Sequence, residues 1–314
     1  MVKAADGTVA RLRLEFASRS TLAWTLRIGA FMCFVGHGAF GIMTKQAWLP
    51  YFAVADIGPG VAYRLMPLIG LVDISVGIAT LLCPIPAIGV WMTLWAIWTA
   101  LLRPLSGDSS WEAVERAGNY GVPLALLVLL QPPRRVGELV THALPRDLDE
   151  TLLARLRVVL TVAVVFVLAG HGVLGVMGKP AHIENYASVM SATAAPEFAR
   201  FAGAFEILLA VVVALRPSVT VLLFICVWKF GTESLFVTAG ASPWEIVERG
   251  GSYTAPIALA IVTTLLHRAR RAAAPQKWDS SAHHSRTPTA TSASAARAER
   301  GSHMYRPASR SSTR

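Results

Sequence analysis

The sequence predicts an all-α polytopic membrane protein, built from two tandem repeats of four transmembrane helices. Of its 314 residues, 54% are hydrophobic and only 15% are charged, whereas soluble domains carry about a quarter charged residues. The apolar residues gather into runs close to the length of about 20 residues that crosses a bilayer as a helix. Motifs of the first half return in the second half at a nearly constant spacing. These three observations predict the fold class.

Eight apolar runs define the predicted spans. They lie at 23–43, 65–83, 86–103, 116–131, 156–177, 199–215, 218–238 and 251–267. A polar linker with two consecutive prolines separates the fourth run from the fifth. The predicted segments are therefore an N-terminal arm (1–22), a first membrane repeat (23–131), a linker (132–155), a second membrane repeat (156–267) and a tail (268–314).

The positions of lysine and arginine predict the orientation of the spans. Basic residues concentrate in the arm, the linker, the short turn at Arg216 and the tail, and eight spans place these four segments on one side. We therefore expect both termini in the cytoplasm and the chain in the cell inner (cytoplasmic) membrane. Because four is an even number, both repeats insert the same way up. Their pseudo-twofold axis then runs along the membrane normal.

The positive charge of the chain is concentrated in the tail. From residue 268 onward there are ten Lys/Arg and two acids, which gives 10 − 2 = +8 of the net charge of +10. This tail has few large apolar residues, a composition typical of a disordered segment. A basic tail beside a membrane favours contact with anionic lipid. The lipid bilayer is the expected partner, and nucleic acid is not.

The first repeated motif surrounds a histidine placed between two glycines. FVGHGAFGIMTK at 34–45 returns as VLAGHGVLGVMGK at 167–179. His37 and His171 each lie eight residues before a lysine, Lys45 or Lys179, which marks the outer end of the span. A helix rises 1.5 Å per residue, so each histidine is expected about 12 Å inside that end.

The second repeated motif contains a glutamate followed by an arginine. SWEAVERAGNYGVP at 110–123 returns as PWEIVERGGSYTAP at 243–256. It supplies Glu115-Arg116 in the first repeat and Glu248-Arg249 in the second. We expect these two pairs to cap the outer mouths of spans four and eight and to gate access from outside. A simpler explanation is that the acid opposes the helix dipole while the arginine reaches the interface.

Ionisable side chains inside a membrane are costly, so they face the bundle interior and pair with one another. Depth along each span predicts that polar residues of the four spans converge in the outer leaflet. In the first repeat these are His37, Asp73, Thr99 and Asn119. In the second they are His171, Glu206, Thr232 and Ser252. We expect the pairs His37–Asp73 and His171–Glu206.

The two repeats differ at one conspicuous place. Span seven carries Lys229 and Glu233, where span three has Ala96 and Ala100. Two added charges inside a membrane helix need an explanation. One is a mutual salt bridge between residues four apart. The other is that the working site lies in the second repeat and the first repeat supports it.

A histidine–carboxylate pair permits several roles, which the residues leave open. The pair can hold four helices together and transfer nothing. It can carry a proton, since histidine titrates near neutrality, or donate a hydrogen bond to a quinone carbonyl. A neutral imidazole can also bind haem iron. His37 and His171 could bind one haem iron together only if their two spans were adjacent. The carboxylates at the same depth also offer both histidines other partners. No metal site is predicted firmly.

The four-span unit resembles the DoxX/DoxD-like family of integral membrane proteins. The likeness rests on the GHG…G.M.K start, the intramembrane acid and the WE.VERxGxY element, which are duplicated over about residues 23–267. The resemblance implies a four-helix membrane bundle linked to respiratory quinol oxidation or redox defence. It implies no set of catalytic residues.

The leading hypothesis is a redox-associated membrane protein, either quinone-binding or an accessory subunit of a membrane oxidoreductase. Quinone is the candidate cofactor. Two alternatives belong to other classes. A transporter or channel for a small solute or proton would have a water-accessible cavity that reaches Lys229 and Glu233. A structural assembly protein would use its polar clusters for packing alone. Whether the chain is an enzyme is left open.

Overall fold

The computed structural model describes residues 18–131, 135–141 and 148–273. Within these ranges the chain is helical and has no strand, so the all-α prediction is confirmed. Expectations about the N-terminal arm before residue 18, the linker at 132–134 and 142–147, and the basic tail from residue 274 lie outside the described residues.

Twelve α-helices are found in the described ranges. They are α1 (Arg19–Ile42), α2 (Leu49–Ala53), α3 (Pro59–Leu82), α4 (Pro86–Leu105), α5 (Ser110–Glu115), α6 (Ala117–Leu129), α7 (Glu150–Val176), α8 (Pro180–Ala187), α9 (Ala195–Leu215), α10 (Val219–Thr238), α11 (Trp244–Glu248) and α12 (Gly250–Ala273). Short 3₁₀ turns lie at Gln46–Trp48 and Val136–Val140.

Six of these helices are long and apolar enough to cross a membrane, namely α1, α3, α4, α7, α9 and α10. Each of the eight predicted spans coincides with a helix, but α6 and α12 do not meet the same standard. With 13 residues, α6 is too short, because the chain turns at Arg116 before it begins. Helix α12 has 24 residues, but hydroxyl side chains and a basic last turn with Arg270 and Arg271 lower its hydropathy.

Side-chain caps begin α1 and α7, the helices that contain the two repeated histidine motifs. The Ser18 hydroxyl accepts a hydrogen bond from the Thr21 N–H at 3.0 Å, and the Asp149 carboxylate accepts one from the Leu152 N–H at 2.6 Å. Such caps satisfy backbone donors that have no partner inside the helix. Both long helices therefore start at a defined residue.

Each half contains a pair of long helices in close backbone contact, α1 with α3 and α7 with α9. A Cβ atom added to Gly38 would lie 2.6 Å from the Gly70 carbonyl oxygen. One added to Gly172 would lie 2.7 Å from the Gly203 oxygen. Small residues at membrane helix interfaces permit such an approach. The glycines of the repeated motif therefore set the spacing of both pairs.

The apolar core lies where α1, α6, α7 and α12 meet. The middle of α12 is wholly buried, from Ala258 to Val262. At its start, a Cβ on Gly251 would lie 2.2 Å from the Gly118 oxygen of α6. The outward faces of α3, α4 and α10 instead expose large apolar side chains such as Leu94 and Val227. The two repeated Glu-Arg motifs are thereby drawn to the centre of the molecule.

Candidate functional site

The repeated Glu-Arg motifs lie between the two halves. Helix α5 of the first half packs on α7, and α11 of the second half packs on α1. A Cβ added to Gly170 would lie 2.3 Å from the Glu115 nitrogen, and one added to Gly36 would lie 2.2 Å from the Glu248 nitrogen. Each glycine-flanked histidine segment therefore packs against the Glu-Arg motif of the other half.

This packing between the halves differs from the prediction that the Glu-Arg pairs cap the outer mouths of spans four and eight. Glu115 and Glu248 are only 2% and 4% exposed, because the opposite half covers each of them. Arg116 reaches across to Glu248, and its Nη1 donates to Oε1 at 2.9 Å. The motifs thus lie inside the protein, where they join the halves.

Ion pairs between the halves follow the same exchange. Each lysine that ends a histidine motif binds acids of the other half's Glu-Arg motif. These pairs are Lys45–Glu245 at 2.6 Å, Lys179–Glu112 at 2.8 Å and Lys179–Glu115 at 3.2 Å. The acids of these pairs are largely buried and the lysines are partly exposed, so removal of a lysine leaves a poorly compensated carboxylate.

Neighbouring charges keep this network ionised. Burial acts to raise the pKa of Glu115, but the neighbouring His171 and Lys179 outweigh the effect of burial and hold this pKa well below its usual range. For Glu248 burial likewise opposes ionisation, and Arg116 is the main group that lowers the pKa. Glu115 and Glu248 are therefore anions at neutral pH.

A cavity of about 220 Å³ lies in the first half, and Glu248 of the second half contributes to its lining. Aromatic rings form much of its wall, namely Trp48, Tyr51, Phe52, Trp95 and Trp98. Its polar groups are His37, Thr99, Arg103, Arg116 and Glu248. An apolar cavity with a few converging polar groups is the usual form of a small-molecule site.

His37 is held in this cavity by two contacts. Its Nδ1 lies 2.7 Å from Asp73 Oδ2, which confirms the expected pair, and its ring stacks on Trp48 with centroids 4.5 Å apart. Asp73 is 1% exposed, and its Oδ1 has no hydrogen-bond partner among the described residues. With the proton on Nδ1, the imidazole donates to Asp73 and keeps a lone pair on Nε2.

Arg103 closes the polar side of the same cavity. Its Nη1 donates to the Tyr51 hydroxyl at 3.1 Å and lies 3.6 Å from Glu112 Oε2. Burial raises the pKa of Tyr51, so its phenol stays protonated. The cavity therefore combines a fixed cation and a phenol with the His37–Asp73 pair.

In the second half, His171 does not pair with Glu206. Its Nε2 lies 3.1 Å from Glu233 Oε1 and 3.8 Å from Glu115 Oε1. Glu206 instead accepts hydrogen bonds from the Trp228 indole at 2.9 Å and the Lys229 ammonium at 3.2 Å. The expected pair fails because Lys229 provides Glu206 with a stronger, charged partner.

The expected salt bridge between Lys229 and Glu233 is present at 3.1 Å, and both residues are 1% exposed. Arg249 Nε also lies 2.8 Å from Glu233 Oε2, and its Nη1 forms an ion pair with Glu245. The cavity beside these residues has a volume of only about 30 Å³. The long charged side chains thus occupy space in the second half.

The first half has room because alanine stands at the aligned positions. Ala96 and Ala100 line its cavity of about 220 Å³, where the second half has Lys229 and Glu233. Of these two matching places, the one in the first half is therefore the more open, whereas one of the two explanations for Lys229 and Glu233 places the working site in the second half.

Of three further predicted residues, two line the cavities and one does not. Thr99 lines the first cavity and Thr232 the second, and each hydroxyl donates to a carbonyl of its own helix. Among the described residues, Asn119 belongs to the lining of neither cavity. Its carbonyl oxygen lies 3.8 Å from Cys33 Sγ, at the junction of α1 and α6.

Trp48 and His182 are site residues that the sequence reasoning missed. Each follows the motif histidine by eleven residues, since 48 − 37 = 11 and 182 − 171 = 11. His182 stacks on His171 with centroids 5.5 Å apart, as Trp48 stacks on His37. The two rings therefore occupy matching places. The available signal was the offset of 134 residues, which continues past the lysines of the motif.

The arrangement gives no support to a haem iron shared by two histidines. His37 and His171 line different cavities, and each has a carboxylate within hydrogen-bonding distance.

Comparisons with protein-family models, with curated proteins and with solved structures found no match to this chain. The resemblance to the DoxX/DoxD-like family therefore stays a prediction.

Proposed function

We propose that this chain is a membrane protein of eight spans that binds a quinone headgroup in the cavity of its first half. The spans would form two repeats of four helices in the same orientation, in the cytoplasmic membrane with both termini inside. Six helices with the length and hydropathy of spans support this arrangement. The matching glycine contacts of α1 with α3 and of α7 with α9 also favour it.

The observation that carries the proposal is the pairing of an aromatic wall with His37. A quinone ring is flat and apolar on its faces, and it has two carbonyl oxygens at its edge. Trp48, Trp95 and Trp98 offer faces for stacking, and the imidazole offers a polar atom for a carbonyl. The volume of about 220 Å³ is below the 300 to 1,000 Å³ of sites for drug-sized ligands. It suits one ring rather than a whole quinone with its tail.

His37 is arranged to exchange a proton with such a ligand. While Nδ1 donates to Asp73, the Nε2 lone pair can accept the proton of a quinol hydroxyl. After protonation, Nε2–H can donate to the carbonyl oxygen of the quinone. Asp73 holds the ring in place and stabilises the imidazolium, as a carboxylate partner does for a catalytic histidine. Proton transfer at this atom would accompany quinol oxidation.

Access from the lipid suits an isoprenoid-tailed ligand. Trp98 lines the cavity and is 44% exposed at the apolar outer surface of α4. A headgroup can thus occupy the cavity while its tail stays among lipid chains. The electrons would pass to or from a separate membrane oxidoreductase, which agrees with the role implied by the resemblance to the DoxX/DoxD-like family.

The transporter hypothesis receives less support. It requires a water-accessible space at Lys229 and Glu233, but these residues are buried and bound to each other. The cavity beside them holds about 30 Å³, which is room for about one water molecule. No solute passes through such a space without rearrangement of the ion pairs.

Quinone binding is tested by titration of the purified protein in detergent micelles. Short-chain ubiquinone and menaquinone analogues are added, and quenching of tryptophan fluorescence is measured. We expect saturable quenching in the unchanged protein. In His37→Gln the affinity should fall at least about tenfold, because the hydrogen bond between the protonated imidazole and the quinone is lost. Ala100→Leu, which fills the cavity, should also weaken it.

The matched control is His267→Gln, which removes an exposed histidine of α12. It should bind like the unchanged protein. Equal quenching in the unchanged protein, His37→Gln and Ala100→Leu would refute a site in this cavity.

A further inference from the structure

The second half contains a group of buried metal-binding side chains that quinone binding does not use. Glu115, His171 and His182 each offer one ligand atom, and these atoms all lie within 4.8 Å of one another. We propose that these three residues bind a divalent transition-metal ion. The proposal does not depend on the quinone site, which lies in the other cavity.

The clearest sign of a missing ligand is His182. The residue is 8% exposed, and its Nε2 is buried without a hydrogen-bond partner among the described residues. A buried polar atom left unsatisfied is destabilising, so it needs an explanation. A neutral imidazole binds metal ions through such a nitrogen.

The chemistry of the three groups selects the class of metal. Two imidazoles and one carboxylate form the protein ligand set of several zinc enzymes and of non-haem iron centres. Hard ions such as Mg²⁺ and Ca²⁺ prefer oxygen ligands. Glu233 Oε1, 3.1 Å from His171 Nε2, can complete the coordination, as can one water in the cavity of about 30 Å³.

The surrounding charges permit a cation to enter. Without the metal, Lys179 forms ion pairs with both Glu112, at 2.8 Å, and Glu115, at 3.2 Å. If the metal takes Glu115, Lys179 keeps its shorter ion pair with Glu112. Lys229 likewise keeps Glu206 when Glu233 turns to the metal. No ammonium group is left without an acid.

The first half provides an internal comparison. There Glu248 and His37 occupy the places of Glu115 and His171, but Trp48 stands where the second half has His182. An indole supplies a ring face and no metal ligand. The same framework therefore offers three ligands in one half and only two in the other, which predicts one metal ion per chain.

The test uses the full chain, purified in detergent and freed of metal by a chelator. His283 and His284 of the tail are changed to glutamine throughout, so that they do not contribute binding. Zn²⁺ is titrated by calorimetry, and the bound metal is counted by mass spectrometry. Co²⁺ serves as a second probe, because its visible absorption reports nitrogen and oxygen ligands in a tetrahedral site.

We expect one Zn²⁺ per chain in the unchanged site. His182→Gln should weaken binding by more than about 100-fold, the upper end of what loss of an outer-shell partner costs. His267→Gln, the exposed control, should bind normally. Thermal unfolding of the metal-free proteins checks that His182→Gln remains folded. No saturable binding, or equal affinity and stoichiometry in His182→Gln, would overturn the proposal.

Discussion

The close approach of α5 to α7 can be tested by adding a single methyl group. In Gly170→Ala the new Cβ would lie 2.3 Å from the Glu115 nitrogen and 2.5 Å from its Cα. Ordinary contacts begin at 3.4 Å, so the overlap with the nitrogen is 3.4 − 2.3 = 1.1 Å. Both atoms belong to the backbone, and no side-chain rotation relieves the clash. The two helices must separate.

The size of the effect follows from two opposing contributions. Overpacking of a close-packed interior costs about 1–3 kcal/mol, and contact with backbone places Gly170→Ala at the upper end, about 3 kcal/mol. Alanine returns about 1 kcal/mol through its higher helix propensity. We therefore expect the free energy of unfolding to fall by about 2 kcal/mol.

The assay is denaturant unfolding in detergent, followed by circular dichroism. Gly231→Ala is the matched control, because a Cβ on this glycine of α10 meets nothing within 4 Å. It should leave stability unchanged or raise it by up to about 1 kcal/mol. Gly36→Ala, which meets the Glu248 backbone, should behave like Gly170→Ala. Equal stability of Gly170→Ala and Gly231→Ala would refute the close contact between the halves.

Three further predictions concern the ion pairs and the junction. Lys229→Met leaves two buried acids without their ammonium group and should cost about 3–5 kcal/mol in the same unfolding assay. Arg200→Ala, which breaks an exposed pair, should cost less than about 1 kcal/mol, and equal losses would contradict the buried network. Lys45→Glu, which places a second acid beside Glu245, should lower stability by about 2 kcal/mol and more than Lys45→Gln does; equal losses in the two variants would argue against the pair. Finally, the two halves, expressed together as separate chains cut between α6 and α7, should copurify, whereas a folded half recovered alone would count against the exchange.

Depth along a span was the part of the site that could be read from the sequence. It brought His37 to Asp73 because both lie at one level on neighbouring helices. The same reasoning failed for His171, since depth fixes the height of a residue and not the direction in which its side chain points. Glu206 is bound by Lys229, whereas Glu233 Oε1 lies within reach of both Lys229 and His171.

The packing of each Glu-Arg motif against the other half could not be predicted from the sequence, for a different reason. The motif that contains Glu115 lies only a few residues from α6, so the local pattern suggested that it serves its own half. Its actual neighbour is Gly170, 55 residues away (170 − 115 = 55). Nor could the alanines at 96 and 100 reveal a cavity, since small residues also occur where helices touch.

The packing of each Glu-Arg motif against the other half has a consequence for how such a chain can arise and diverge. A single four-helix unit with both motifs would satisfy the same contacts by pairing with a second copy of itself, because a twofold interface is self-complementary. In that pair, every substitution would appear twice. Once two units are joined in one chain, each binding place can change alone. Trp48 and His182 stand at one such position, where the first half has an indole stacked on its motif histidine and the second half has an imidazole.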